Sequence, residues 1–320
     1  MTQTIHIAIL MIPGAAQSAT YGLIDLFQTA NHICQESIPE PKALFEVSRW
    51  LINDGKVIPE KKGAAKDPNI VIVPPVLEGQ EYMEPPTDVS TWLLKRHKEG
   101  AVTCSACAGA FMLADAGLLD GRQATTHWRL ADAFKQKFPD IELNIDSILI
   151  ADPDVVTAGG VMSWIDLGLH LVGRYMPPHI VMELGRFLLV DTGTRYQSYY
   201  RSFLPPVDHG DKAILKVQQQ IHRDYQQPIS VAEMAHLANL GERTFLRRFQ
   251  KVTGYRPAEY LQQQRLQKAR ELLETGTLQV EQIAWQVGYE DVSAFRKMFH
   301  KQTGLSPKEY RQRFSGGSKM

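Results

Sequence analysis

The first two hundred residues alternate between short apolar runs and segments whose apolar residues recur at helical spacing. The apolar runs predict buried strands, and the 3.6-residue spacing predicts helices. The predicted strands are Ile5–Ile12, Phe45–Ile52, Ile70–Val73, Ala101–Cys104, Ile148–Ala151 and Val155–Ala158. The predicted helices are Thr20–Cys34, Val89–Lys98, Phe111–Ala116 and Ser163–Met176. Strands that alternate with helices favour an α/β domain with a mostly parallel, flavodoxin-like sheet.

The last third has a different pattern, because one unit of sequence occurs in it twice. The matching positions are Val231, Met234, Ala235, Phe245, Phe249, Thr253, Gly254, Pro257 and Tyr260 in copy one, and Val280, Ile283, Ala284, Phe295, Phe299, Thr303, Gly304, Pro307 and Tyr310 in copy two. The offset is 49 in the first part and 50 in the second, so one residue is inserted near Glu290–Asp291. Each copy predicts a short apolar helix, a break and a second helix, which is a helix–turn–helix.

Capping and breaking residues place the helices of both copies. Ser230, with Glu233 three residues later, has the spacing of a capping box. Breaks near Gly241 and Gly288 precede second helices at about Glu242–Thr253 and Val292–Thr303. A prolyl residue can open the next helix, so a linking helix is expected over about Pro257–Leu273. At 1.5 Å per residue it would be roughly 25 Å long. That length is of the order needed to set two recognition helices about one DNA turn, ~34 Å, apart.

The second helix of each copy combines a phenylalanine pair, four residues apart, with basic residues on the other faces. An aromatic anchor with a basic outer face suits the major groove, since Arg contacts guanine bidentately and Lys or Ser contacts phosphate. A solvated basic helix is the alternative for one helix alone, but two in register favour DNA binding. The candidate DNA-contact residues are Arg243, Thr244, Leu246, Arg247 and Lys251 in copy one, and Ser293, Arg296, Lys297 and Lys301 in copy two.

Charge is divided between the two parts of the chain. The formal total is zero, with 35 Lys+Arg and 35 Asp+Glu. Residues 1–210 carry 17 basic and 24 acidic side chains, and residues 211–320 carry 18 and 11. A net charge of +7 is also found in ordinary soluble domains, but the division favours two domains with different partners. Residues 196–212, which contain Pro205-Pro206 and Gly210, predict a linker between domains at 1–195 and 213–315.

The composition excludes some classes of protein. No run of 18 uninterrupted apolar residues exists, so a membrane span is not expected. The first residues lack a positively charged segment and predict a strand rather than a signal peptide. Three cysteines do not make a disulfide framework and suit a reducing cytoplasm. We also expect neither a metal nor a cofactor, because no second cysteine pair is present to hold zinc.

The C-terminal repeat resembles the tandem helix–turn–helix domain of the AraC/XylS family of transcription regulators. The residues in common include Ile229-Ser230-Val231, Leu237-Ala238, Arg265, Ala269-Arg270, Val287-Gly288-Tyr289 and Ser306-Pro307, besides the repeated positions. The resemblance implies base or backbone contacts by Arg243, Leu246 and Arg247, and by Ser293, Arg296 and Lys297. Leu246 is apolar where a hydrogen-bonding residue is common, so it can offer a thymine methyl contact. The implied partner is double-stranded operator DNA, bound in two successive major grooves.

A second candidate site begins where the strand Ala101–Cys104 runs into small residues and then a helix. This is the setting of a nucleophile elbow, and a helix N-terminus there would lower the thiol pKa of Cys107. A redox pair with Cys104 is disfavoured, because an extended segment places the two Cα atoms too far apart to bridge. Cys104 is therefore expected in the core. The alternative for Cys107 is a small residue at a tight turn without chemistry.

Residues 5–195 resemble the ThiJ/PfpI superfamily, on Cys107-Ala108-Gly109 and Thr125-Thr126-His127. Thr125-Thr126-His127-Trp128 and Asp166-x-x-Leu-His170 are also similar to the sensor domains of GlxA-type regulators. Two departures disfavour catalysis: Ala108 stands where PfpI-type proteases have His, and Ala19, followed by Asp25, stands near the acidic position of the enzymes. The alternative for His127 is a core histidine beside Trp128. Asp166 with His170 is expected as an intrahelical pair rather than a metal site.

Together these patterns predict a cytoplasmic transcription regulator without enzymatic activity. Its N-terminal domain would bind a small effector in a pocket formed by Cys107, Ala108, Gly109, His127 and Asp25. The resemblance implies an amino acid or another nitrogenous metabolite as effector, a homodimer, and RNA polymerase as a further partner. The alternative is a thiol-dependent hydrolase or glyoxalase-like enzyme with an accessory DNA-binding domain.

Overall fold

A computed structural model describes residues 2–61, 67–80, 82–193 and 195–315 of the chain. The chain divides into two compact units, Met1–Gln197 and Ser198–Met320. The N-terminal unit is an α/β domain and the C-terminal unit contains only helices and loops among its described residues. The α/β class and the all-helical class predicted for the two parts are both confirmed.

The N-terminal unit is built on a seven-stranded sheet of order β3-β2-β1-β4-β5-β9-β8. The strands are β1 (Gln3–Met11), β2 (Ala43–Asn53), β3 (Lys56–Pro59), β4 (Ile70–Val73), β5 (Val102–Ala106), β6 (Gln123–Ala124), β7 (Glu142–Leu143), β8 (Leu149–Ala151) and β9 (Val155–Ala158). Strands β2, β1, β4, β5 and β9 are parallel, β3 and β8 are antiparallel edges, and β6 with β7 forms a separate parallel pair.

Helices cover both faces of this sheet. They are α1 (Gln17–Ser37), α2 (Thr87–Lys98), α3 (Gly109–Asp115), α4 (Ala131–Lys137), α5 (Trp164–Tyr175) and α6 (Pro178–Leu188). One core contains α1, α5 and α6, and the other contains α2, α3 and α4. Strand β4 is buried at all four positions, as expected for a central parallel strand covered on two faces. Within the described residues, no helix has both the length and the apolar character that crossing a membrane requires.

The strand order reverses at β1, which makes the carboxyl edge beside β1 and β4 a place for ligands in such sheets. The loops that follow these two strands meet there, through a bridge between Ala15 and Val76. Gly14 has a φ of 71°, and a Cβ atom on it would lie 1.9 Å from the carbonyl oxygen of Glu78. Glycine at this position therefore permits the close approach of the two loops.

The C-terminal unit contains seven helices in its described part. They are α7 (Lys212–Asp224), α8 (Val231–Leu237), α9 (Glu242–Thr253), α10 (Pro257–Thr275), α11 (Val280–Gln286), α12 (Val292–Thr303) and α13 (Pro307–Phe314). The pairs α8–α9 and α11–α12 are the two predicted helix–turn–helix units, and α10 is the linking helix. Each unit has its own core, which is built around Phe245 and Phe249 or around Phe295 and Phe299.

Helix ends in both copies use the residues that the sequence indicates. Ser230 accepts a hydrogen bond from the Glu233 N–H at 3.2 Å, and the Glu233 carboxylate accepts one from the Ser230 N–H at 2.7 Å. Gly254 and Gly304 end α9 and α12 with φ values of 79° and 77°. Both copies are thus closed by capping boxes and left-handed glycines, which satisfy free backbone groups.

The segment 198–211, within the predicted linker, packs on the helices of the C-terminal unit. Arg270 donates to the carbonyl oxygen of Ser198 at 2.9 Å, and the Ser198 hydroxyl donates to the carbonyl oxygen of Thr303 at 3.3 Å. The Phe203 ring lies edge-on to Tyr260, with centroids 4.9 Å apart. The chain after residue 197 is therefore held along the helical unit by side-chain contacts.

Candidate functional site

All nine candidate DNA-contact side chains are exposed on α9 and α12. The phenylalanine pairs of the same helices are fully buried, so each helix has an apolar inner face and a polar outer one. The Thr253 hydroxyl donates to the Phe249 carbonyl at 2.7 Å, and the Thr303 hydroxyl donates to the Phe299 carbonyl at 2.8 Å. The last turn of both helices is thus closed in the same way.

Two arginines on these helices have carboxylate partners. Arg248 forms a bidentate pair with Asp211, with Nε–Oδ2 and Nη2–Oδ1 distances of 2.9 and 2.7 Å. Arg296 pairs with Glu281 of α11. Among the described residues, no ion pair involves Arg243 or Arg247. Arg248 is therefore occupied within the protein, whereas Arg243 and Arg247 offer unpaired guanidinium groups on the outer face.

Cys107 lies directly after β5 with a φ of 54°, a conformation that favours glycine. Its N–H donates to the Ala158 carbonyl at 2.8 Å, and its carbonyl oxygen accepts from the Thr126 hydroxyl at 2.7 Å. A Cβ atom on Gly109 would lie 2.7 Å from the Val73 carbonyl oxygen, so α3 can begin there only with glycine. This strained turn between a strand and a helix is the geometry of a nucleophile elbow.

The predicted lowering of the Cys107 pKa is wrong. Burial raises the pKa of the thiol to about 11, and a hydrogen bond from the Ala108 N–H opposes this only in part. The side chain is 4% exposed and packs in the core of α2, α3 and α4. A thiolate is scarcely populated near neutral pH under these conditions. Cys104 is buried in the opposite core, as predicted, and burial raises its pKa as well; both cysteines are free thiols.

The His127 ring contacts its own neighbours in sequence rather than Cys107. Its Nδ1 accepts from the Arg129 N–H at 3.1 Å, and its ring stacks on Trp128 with centroids 5.5 Å apart. Burial and then the charge of Arg129 lower its pKa, so the ring is neutral at pH 7. No hydrogen bond joins His127 to Cys107 in the described part of the chain. Asp25 is exposed on α1, a helix that packs in the core on one face of the sheet, whereas Cys107 packs in the core on the other face.

The predicted intrahelical pair of Asp166 and His170 is also wrong. Asp166 instead pairs with Arg195, whose Nε lies 3.1 Å from Oδ1. Burial and then Arg174 lower the pKa of His170. The side chains of Asp166, His170 and Arg195 line a cavity of about 370 Å³ next to β8, α5 and α6. In the described residues, no group of three His, Cys, Asp or Glu side chains could hold a metal.

Sequence reasoning missed Gln197, whose side chain is 3% exposed. Its Nε2 lies 3.0 Å from each of three acceptors, the Thr125 hydroxyl and the carbonyl oxygens of Thr126 and Ser147. Its Oε1 accepts from the Trp128 N–H at 3.2 Å. A Cβ atom on Gly159 would lie 1.9 Å from Nε2. Gln197 therefore fixes the loop that carries Thr126 and His127, and no local sequence pattern marks it.

Comparisons with known proteins match both units. Residues 52–174 match the DJ-1/PfpI family, and residues 234–313 match a helix-turn-helix domain. The chain is 27% identical to the HTH-type transcriptional regulator CdhR of Pseudomonas aeruginosa over 81% of this chain and 75% of that protein. It is 26% identical to the HTH-type transcriptional regulator GlxA of Rhizobium meliloti over 64% of each. A crystal structure of a putative transcriptional regulator from Vibrio parahaemolyticus has a TM-score of 0.49 at 22% identity, and covers 58% of this chain and all of that one.

Together, the sheet domain and the two helix–turn–helix units define a DNA-binding transcription regulator. More particularly, a match to the DJ-1/PfpI family on the N-terminal side and a match to a helix-turn-helix domain on the C-terminal side occur in one chain, the combination that the resemblance to GlxA-type regulators implies. The named relatives are regulators, which favours regulation over the alternative of a thiol hydrolase or glyoxalase-like enzyme.

Proposed function

We propose that this regulator binds a small effector at the turn formed by Cys107, Ala108 and Gly109, beside the His127 loop. The observation that supports the proposal is the strained backbone of Cys107, since costly conformations persist where function requires them. Burial raises the pKa of the Cys107 thiol, which disfavours turnover by a thiolate. An amino acid or another nitrogenous metabolite is the proposed class of effector, and it would act through different affinities for two states of the protein.

The DNA interface of the proposal consists of the exposed candidates on α9 and α12, which would enter two successive major grooves of operator DNA. A homodimer on repeated half-sites, contact with RNA polymerase and location in the cytoplasm complete it. The proposed domain limits are 1–195 and 213–315, with 196–212 between them, and 198–211 of that segment packs on the helical unit.

A mobility-shift titration of the full chain on the upstream region of its own operon tests DNA binding. We expect Arg247→Ala and Arg296→Ala each to weaken binding about tenfold, the value of one good bidentate contact. Wild-type binding by both variants would contradict the proposed interface. Light scattering coupled to size exclusion measures the number of chains in the particle.

Differential scanning fluorimetry against an amino acid and amine library tests effector binding. A ligand at 100 times its dissociation constant adds about 2.7 kcal/mol of stability, which is a large shift in melting temperature. We expect Cys107→Phe, which fills the turn, to abolish the shift, and Asp25→Ala, on the exposed face of α1, to retain it. A shift that survives Cys107→Phe but is lost in Asp166→Asn would place the effector in the cavity beside Arg195 instead.

A further inference from the structure

The two helix–turn–helix copies differ at a pair of equivalent positions. Ala232 and Glu281 are each the second residue of the first helix, α8 or α11. Leu246 and Arg296 are each the fifth residue of the second helix, α9 or α12. Copy one therefore has two apolar residues where copy two has an acid and a base. The two copies thus differ at both of these positions and not at one alone.

In copy two the pair is in contact. The Arg296 guanidinium donates from Nη2 to Oε1 of Glu281, which joins the recognition helix to the helix before it. The two side chains are 52% and 42% exposed, so the guanidinium remains open to the solvent side. An arginine has five N–H donors in a rigid fork, and one contact to a carboxylate leaves donors for a base edge.

In copy one the same place holds no charge. Leu246 is 38% exposed, and Ala232 is exposed as well. An exposed leucine at this helix position cannot donate a hydrogen bond to a base. It offers instead an apolar contact, which suits the methyl group of thymine.

We propose that these positions make the two copies read different bases, with Glu281 as the residue that positions Arg296. Arg296, held by Glu281, contacts guanine in one half of the site, and Leu246 contacts a thymine methyl group in the other half. This inference rests on the proposed entry of α9 and α12 into the major groove. Holding the flexible arginine in one orientation before binding lowers the ordering cost at the interface. The bound DNA site is therefore asymmetric for each chain.

Selection of binding sites from a randomised double-stranded DNA library by the full chain tests this assignment. We expect wild type to select a guanine in one half-site and a thymine in the other. The double substitution Ala232→Glu, Leu246→Arg transplants the copy-two pair into copy one, and we expect it to replace the selected thymine by guanine while the second half-site stays unchanged. An unchanged selected sequence from this variant, with intact binding, would overturn the inference.

Glu281→Gln tests the positioning role separately. We expect the discrimination for guanine over other bases at that base pair to fall about tenfold, since a good bidentate contact supplies discrimination of that order. Arg296→Ala should lose the same preference, and Glu281→Asp should restore part of it. Glu242→Gln makes the same charge change on α9 and should leave the guanine preference intact. Full guanine preference in Glu281→Gln would contradict the positioning role.

These outcomes are distinct from failure of the proposed interface. If wild type selects no sequence and Arg247→Ala binds as wild type does, the proposed use of α9 and α12 fails as a whole. If wild type selects a sequence and neither the double variant nor the substitutions of Glu281 and Arg296 change it, only the assignment of Glu281, Arg296 and Leu246 fails. Melting curves of every variant confirm folding, and an exposed ion pair such as Glu281–Arg296 contributes little to stability.

Discussion

The hydroxyl of Thr126 donates a hydrogen bond of 2.7 Å to the carbonyl oxygen of Cys107. Both residues are buried, and the contact joins the left-handed turn after β5 to the loop that precedes His127. The carbonyl oxygen of Thr126 also accepts a hydrogen bond from Nε2 of Gln197. Thr126 therefore connects the strained turn to the last residue of the N-terminal unit. The arrangement makes the turn depend on two segments that are distant in sequence.

Replacing Thr126 by Val should therefore destabilise the N-terminal unit. The substitution keeps the shape of the side chain but leaves the buried Cys107 carbonyl with only the Ala110 N–H, 3.3 Å away, as donor. The loss of one hydrogen bond costs about 1 kcal/mol. Urea unfolding followed by tryptophan fluorescence measures the loss. Thr126→Ser keeps the hydroxyl and should retain most of the stability. Equal losses in both variants would show that packing of the methyl group matters more than the hydrogen bond.

The raised pKa of Cys107 predicts a dependence of stability on alkaline pH. The folded thiol holds its proton up to about pH 11, while an exposed cysteine ionises near 9. The unfolded state therefore loses this proton first, and stability falls as pH rises from about 9 to about 11. The difference amounts to about 3 kcal/mol, at about 1.4 kcal/mol per pH unit over the two units between 9 and 11. Comparing urea unfolding of wild type and Cys107→Ala over this range isolates the contribution, and parallel curves would contradict the burial effect.

The main strands and helices were predictable from sequence, whereas the polar network of the site was not. The prediction missed the short strands β3, β6 and β7 and the helices α4, α6 and α7. Helical periodicity and glycine stops gave α9 and α12 their limits, because those signals are local. Asp166 was paired with the wrong partner because Arg195 lies 29 residues away, beyond the reach of any helical spacing. The predicted direction of the Cys107 pKa shift is wrong for a related reason. The strand-to-helix turn, which would lower the pKa, is visible in the sequence. The burial that raises the pKa depends on the packing of α2 and α4.

Gln197 and Ser198 are consecutive, yet their side chains stabilise different units. Gln197→Ala removes the partner of the Trp128 N–H and should raise hydrogen exchange at that amide about tenfold or more, since a lost buried contact costs about 1–3 kcal/mol. Ser198→Ala removes the donor to the Thr303 carbonyl and should affect exchange at the end of α12. Exchange mass spectrometry measures both. Faster exchange in α12 after Gln197→Ala would show instead that the two units are coupled.

The pair Asp211–Arg248 should contribute to the stability of the helical unit rather than to DNA binding. Burial alone would raise the pKa of Asp211, but the hydrogen bonds from Arg248 and from the Ile214 N–H hold the pKa below its usual range. Asp211→Ala removes this pair and the N-cap of α7, a loss of about 1–3 kcal/mol.

The second copy supplies the matched control, because Met298 occupies the position equivalent to Arg248. Arg248→Met should keep DNA affinity within about twofold and leave the Asp211 cap in place. Its stability should decline at neutral pH and depend less on acid than that of wild type, because the Ile214 N–H still lowers the Asp211 pKa but Arg248 no longer does. A depressed carboxyl pKa adds stability above about pH 4 that disappears as pH falls. Thermal unfolding at pH 7 and pH 3 measures this difference. A large loss of DNA affinity in Arg248→Met would assign Arg248 to the interface.

Lys301 should act on DNA through charge alone, because a lysine at the end of the exposed face of α12 is suited to phosphate rather than to a base. Each phosphate contact releases about one counterion, so Lys301→Ala should lower the slope of log affinity against log salt by about 1 and weaken binding equally on all sequences. Lys95→Ala removes an exposed charge from α2 of the N-terminal unit and should leave the slope unchanged. Titrations between roughly 50 and 200 mM salt measure both variants. A Lys301→Ala slope equal to that of wild type would remove Lys301 from the interface, while a loss confined to one DNA sequence would assign it to base recognition.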